Sequence, residues 1–211
     1  MKLIGCGRLN WLIVVALISL LAAAGLVATG CLFREKPLPT VTIDKQPDRS
    51  YQTLNELTQD ATVIVRVKVR SSETTDNRTV ELDESAIVSL ARVQVIRSYK
   101  GSVSADSEIS VLETGGVVEL DGQSVDIQVN GISIMKPEES FILFLNPLSG
   151  SNKQSAYAPL GLYQGKFRIE KNLVQQQAPE DEMLTDHAPL SVDVFSAEIM
   201  AAVIGQRITY Q

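Results

Sequence analysis

The sequence predicts a mainly β protein, a small antiparallel barrel or sandwich with a short N-terminal helix and a C-terminal amphipathic helix. Three observations carry this. Apolar and charged residues alternate with period two over residues 61–70 and 87–99, the mark of half-buried strands. Asp121-Gly122, Asn130-Gly131 and Lys171-Asn172 sit between apolar runs, where hairpin turns need backbone with positive φ. The period then changes: Val192, Phe195, Ile199 and Ala202 fall on one face of a helix.

The first folded element is a short helix bearing Tyr51, Leu54 and Leu57 on one face, capped by Ser50 or by Thr53, the latter with Glu56 in a capping box. In the strand 61–70, Val63, Val65, Val67 and Val69 point inward and Arg66, Lys68 and Arg70 outward. Residues 71–78 are polar and read as a loop. The next strand, 87–99, buries Ala91, Val93 and Val95, exposes Arg92 and Gln94, and ends at Lys100-Gly101. A strand at 109–113 stops at Gly115-Gly116. Residues 117–120 and 125–129 pair across Asp121-Gly122, and a further strand is expected at 132–135 after Asn130-Gly131. Residues 141–145, Phe-Ile-Leu-Phe-Leu, are wholly apolar, as in a central strand buried on both faces. Residues 147–155 form a loop, and 166–169 and 173–176 a last hairpin. The final helix is expected to have Ser191 as N-cap, Asp193 in its first turn and Gly205 at its end.

Ahead of this domain lies an address. Residues 9–33 carry no charge, with Lys2 and Arg8 before them and Arg34, Glu35 and Lys36 after. A positive start followed by an apolar run is how an export signal begins. Val27-Ala28-Thr29-Gly30-Cys31 resembles the lipobox of bacterial membrane lipoproteins. The resemblance implies cleavage between Gly30 and Cys31 and a lipid on the Cys31 thiol. Leu is usual where Ala28 stands. The alternative is an uncleaved single-pass helix, since about 20 apolar residues suffice to span a bilayer. Lys2 and Arg8 would then lie on the cytoplasmic side. The expected organisation is a signal peptide or transmembrane helix over 1–30, an extended linker over 31–50 and an exported β-rich domain over 51–211. Pro37, Pro39 and Pro47 favour the extended stalk, within which Val41 and Ile43 allow a short edge strand.

Both readings put the domain outside the cytoplasm and tether it to the membrane. Loss of residues 1–30 would take the formal charge from −6 to −8, 17 basic against 25 acidic side chains. An acidic chain argues against nucleic acid as partner. Beyond Cys31 there is no cysteine, so no disulfide supports the fold.

The order of elements also resembles exported bacterial domains with an OB-like, netrin-like barrel. The matching stretches are the strand 61–70, Val93 to Gly101, Gly115-Gly116, residues 141–145, and Gly161 to Phe167. Such barrels are similar in fold to tissue inhibitors of metalloproteinases. Those inhibitors chelate a metal with an N-terminal cysteine, which this domain lacks, so no inhibitory residue carries over.

No catalytic constellation is expected, nor any metal or cofactor. The single histidine, His187, lies among acids between Pro179 and Pro189, as in an exposed acidic loop. Glu119, Asp121 and Asp126 lack the spacing of a cation loop. Tyr99, Tyr157 and Tyr163 either line a groove or are ordinary sheet residues. Gly101, Gly115, Gly116, Gly161 and Gly165 fit turns and bulges rather than a phosphate loop. The interaction surface indicated by the pattern is Arg66, Lys68, Arg70 and Arg92 on one sheet face. It either binds anionic polymers or lipid headgroups, or is a solvated face paired with cross-strand acids. The functional expectation is a membrane-anchored envelope lipoprotein with a non-catalytic binding domain and an envelope protein as partner. The alternative is an exported hydrolase whose site is dispersed in sequence.

Overall fold

The computed structural model describes residues 37–75, 87–148, 156–185 and 189–209. A compact unit spans Leu38–Gln211. Its strands are β1 (Thr40–Ile43), β2 (Val63–Thr75), β3 (Val88–Lys100), β4 (Glu108–Thr114), β5 (Gly116–Leu120), β6 (Gln123–Val129), β7 (Ser140–Pro147), β8 (Ala156–Pro159), β9 (Lys166–Glu170), β10 (Leu173–Gln176) and β11 (Leu190–Ser191). Two helices accompany them, α1 (Leu54–Asp60) and α2 (Val192–Thr209).

Five strands close a barrel in the circular order β2-β3-β4-β8-β7, with β7 returning to β2. Every seam is antiparallel except β4–β8, which is parallel. The sheet continues from β7 through β9 and β10 to β11. A separate sheet has the order β1-β6-β5. The edge strand allowed at Val41 and Ile43 is present, parallel to β6. It makes part of the expected linker a strand of the compact unit.

The valine alternation of β2 fills the barrel. Val63, Val65, Val67 and Val69 meet Ala91, Val93 and Val95 of β3, Val111 of β4 and Phe141, Leu143 and Leu145 of β7. A second core lies outside the barrel. Ile64 of β2, Tyr99 of β3, Ile142 and Phe144 of β7 and Phe167 of β9 are covered by Leu54 and Leu57 of α1 and by Phe195, Ile199 and Val203 of α2. Strand β7 supplies both cores, which is why residues 141–145 are apolar throughout. Three phenylalanines anchor the outer core, with ring centroids 4.8 Å apart for Phe167–Phe195 and 5.3 Å for Phe144–Phe167.

Local chemistry sets the element ends. Thr53 and Glu56 form the capping box of α1. The Nζ of Lys100 donates to the carbonyls of Thr58 and Gln59 at the far end of α1, and burial pushes its pKa down. Both residues of each turn Asp121-Gly122, Asn130-Gly131 and Lys171-Asn172 have positive φ. Gly116 has φ of 140°, and a Cβ there would run into Ser89 and Thr74. It is a close-approach glycine.

Four expectations are corrected. Residues 71–75 are not loop but continue β2, paired with residues 88–92 of β3. Their Ser and Thr side chains suit a strand whose partner supplies the ladder. Residues 132–135 form no strand. Only Ile132 bridges, to Val129, and Met135 inserts into the barrel core instead. Gly205 does not end α2, which runs on to Thr209. A mid-helix glycine costs only about 1 kcal/mol, and Val203 is already packed on the outer core. The acidic segment is not a free loop. It makes a 3-10 turn at Glu180–Glu182 and buries Leu184. Residues 186–188, with His187, lie outside the described residues, as do residues 1–36 with Cys6, Gly30 and Cys31.

Candidate binding surface

The outer wall of β2 and β3 is divided in two. At one end Ile64 and Tyr99 lie beneath the helices. At the other end the same wall is basic. Arg66 and Lys68 are half-buried, and Arg70, Arg92 and Arg97 are exposed. The interior valines of β2 force its alternate residues outward, which places Arg66 and Lys68 on this wall.

Two of the four basic residues singled out in the sequence are paired with acids. Lys68 pairs with Glu138 at 2.6 Å, and Arg92 lies 3.8 Å from Glu108. Glu138 is held below the usual carboxylate range by its hydrogen bond to Lys68, then by the charges of Lys68 and Arg70. Arg70 donates to the Gln94 amide oxygen. Arg66 is directly opposite Arg97 in the β2–β3 register and has no ion pair among the described residues. Like charges facing each other across a ladder are destabilising. The Arg97 guanidinium lies 5.1 Å from the centre of the Tyr99 ring.

Arg97 was not legible from the pattern. Strict alternation after Val93 and Val95 turns Ile96 outward and Arg97 inward. The register shifts at this point, so Val65 faces Ser98, Arg66 faces Arg97 and Val67 faces Val95. Ile96 is the extra residue, and both it and Arg97 face out.

A second constellation joins residues far apart in sequence. Glu113 of β4 and Lys166 of β9 form an ion pair, with side chains 3% and 4% exposed. Each also holds the segment after Gly131. Glu113 Oε2 accepts from the Met135 amide at 2.8 Å, and Lys166 Nζ donates to the Ser133 carbonyl at 3.0 Å. These side chains replace the ladder expected at 132–135 and pin Met135 in the barrel. Beside this segment lies a cleft of about 160 Å3 lined by Ser133, Lys136, Glu139 and Arg168 among others. Two of its charges engage each other. Arg168 pairs with Glu139 at 2.8 Å, and Glu139 also accepts from the Lys136 amide.

The tyrosines do not share a groove. Tyr99 is buried and hydrogen-bonded to Ser196 at 2.7 Å. Tyr157 packs against the barrel core. Tyr163 accepts from Asn130 and donates to Glu182, each at 2.7 Å. Burial, then the hydrogen bond to Glu182, pushes its pKa up to about 12. Asp126 accepts from Gln128. Among the described residues no three His, Cys, Asp or Glu side chains group as a metal site, and no helix is long and apolar enough to cross a membrane.

No protein-family model matches the chain, and no curated protein shows significant similarity to it.

Proposed function

We propose that this protein is a membrane-anchored envelope lipoprotein whose β domain binds a partner through its outer wall and catalyses nothing. The observation that carries the reading is the contrast between the two sides of β2. Its inward side is packed solid with valine against Phe141, Leu143 and Met135. Its outward side leaves Arg66 and Arg97 without an ion pair among the described residues, beside an Arg70 that reaches Glu138 only through its field. Recognition therefore falls on the surface rather than in a barrel cavity. An outward basic strip on an acidic chain suits an anionic partner.

The barrel supports the OB-like resemblance. Taken in chain order, its strands neighbour one another as first, second, third, fifth, fourth and back to first. The third and fifth are parallel. OB-like domains are likewise five-stranded barrels, and they bind ligands on a strand face.

The anchor rests on Val27 to Cys31 and the uncharged run before it. The test is Cys31→Ala expressed in a bacterial host with radiolabelled fatty acid. Acyl label should be lost and the precursor should accumulate at full length. A variant that still runs at mature size would refute the lipid anchor.

A further inference from the structure

The barrel wall shows why the basic strip has the composition it has. A solvated sheet face normally alternates signs across strands, because opposite charges stabilise cross-strand pairs. Here the acids, Glu138 and Glu108, pair with Lys68 and Arg92. Arg66 and Arg97 face each other across the ladder, and neither has an ion pair among the described residues. Arg70 adds a third guanidinium, reaching across to Gln94 of β3. Three guanidiniums thus share one outer wall on two adjacent strands: among the described residues Arg66 and Arg97 have no ion pair, and Arg70 is bonded only to a neutral amide.

We propose that this strip binds a linear phosphate-bearing polymer outside the cytoplasm, laid along β2 from Arg66 to Arg70. The proposal rests on the envelope location argued above and names the partner of the same surface. Guanidinium groups bind phosphate through two parallel hydrogen bonds, which ammonium groups do not offer. An oxyanion seated between Arg66 and Arg97 turns their repulsion into a shared attraction. Successive outward residues of a strand lie about 6.6 Å apart, so the strip reaches about 13 Å and fits several anionic groups in a row. One phosphate alone does not span it. Nucleic acid is the less suitable polymer. Single strands are held by bases stacked on exposed aromatic rings, and among the described residues every Phe and Tyr is buried or half-buried. The exposed apolar neighbour is Ile96.

The test uses the full chain inserted in phosphatidylcholine vesicles, with fluorescent inorganic polyphosphate as probe. Vesicle flotation reports the membrane tether, and probe anisotropy reports the strip, so the two readings fail separately. Binding should weaken steeply as salt rises. Arg66→Gln and Arg97→Gln should each weaken it about tenfold, the usual scale of a lost charged hydrogen bond. Arg168→Gln, paired elsewhere with Glu139, should leave it unchanged. Arg66→Gln should not lower the thermal midpoint, because it removes a repulsion. Binding insensitive to both strip variants would overturn the proposal. So would loss of probe binding when phosphatidylglycerol is added to the vesicles, which would assign the strip to lipid headgroups. Tighter strip-dependent binding of a single-stranded oligonucleotide would overturn it too.

Discussion

Replacing Glu113 by Gln keeps the side chain's size and its reach to the Met135 amide. It removes the charge that faces Lys166. Both side chains are almost wholly out of water, 3% and 4% exposed. The lysine ammonium would keep one neutral partner, the Ser133 carbonyl at 3.0 Å. Leaving a buried charge uncompensated costs about 3–5 kcal/mol, a large share of a typical total of about 5–15 kcal/mol. In a unit of this size each kcal/mol moves the midpoint roughly 2–4 °C, so a fall of roughly 10 °C is expected. Lys166→Met should cost a similar amount, since it strands the carboxylate. The double variant should cost clearly less than the two singles combined, because neither charge is then left alone. Circular-dichroism melts of the four proteins give the cycle. Hydrogen exchange at the Met135 amide should quicken in Lys166→Met, as the pinned segment loosens. A Glu113→Gln variant within about 1 kcal/mol of the parent, or singles that add in the double, would refute the argument.

Phe195→Ala should cost about 3–5 kcal/mol, because the ring is fully buried against Phe167 and Phe144. Glu198→Ala, on the exposed side of α2, should stay within about 0.5 kcal/mol of the parent, as urea unfolding will show. Thr53→Ala should cost about 1 kcal/mol by removing the α1 capping box. Tyr51 and Tyr163 are both pushed up to about 12, mainly by burial and then by hydrogen bonds to Asp60 and Glu182. Their folded pKa values lie above the unfolded one. Their stabilising contribution is therefore whole below pH about 10 and lost as pH rises through about 12. The absorbance step that Tyr51→Phe or Tyr163→Phe removes from the parent's titration should lie near pH 12 and coincide with unfolding. A removed step near pH 10 in the folded protein would contradict this.

The barrel strands were legible where one residue's environment repeats every second position. The valines of β2 and the Ala91, Val93 and Val95 row of β3 reveal both the strands and their inner face. Residues 141–145 reveal β7 because two cores claim its two faces. Hairpin turns were legible because few residues adopt positive φ readily. What escaped was whatever depends on distant partners. Nothing near Met135 signals that Glu113 and Lys166 will take its segment's hydrogen bonds. The parallel closure of β4 by β8 has no local mark either. Arg66, Lys68 and Arg70 followed from the alternation of β2, and Arg92 from that of β3. Arg97 joined them through a bulge that depends on how β2 and β3 register. Lys68 and Arg92, equal in sequence to Arg66 and Arg70, turned out to be paired with acids.

We propose that Cys31 holds the domain to the membrane outside the cytoplasm. Intact-mass and N-terminal mass spectrometry of the protein from its native membrane tests this most directly. The account predicts a chain that begins at Cys31, lacks Met1 to Gly30 and carries the added mass of acyl chains on that residue. A native chain that retains residues 1–30, with an unmodified Cys31 thiol, would contradict it.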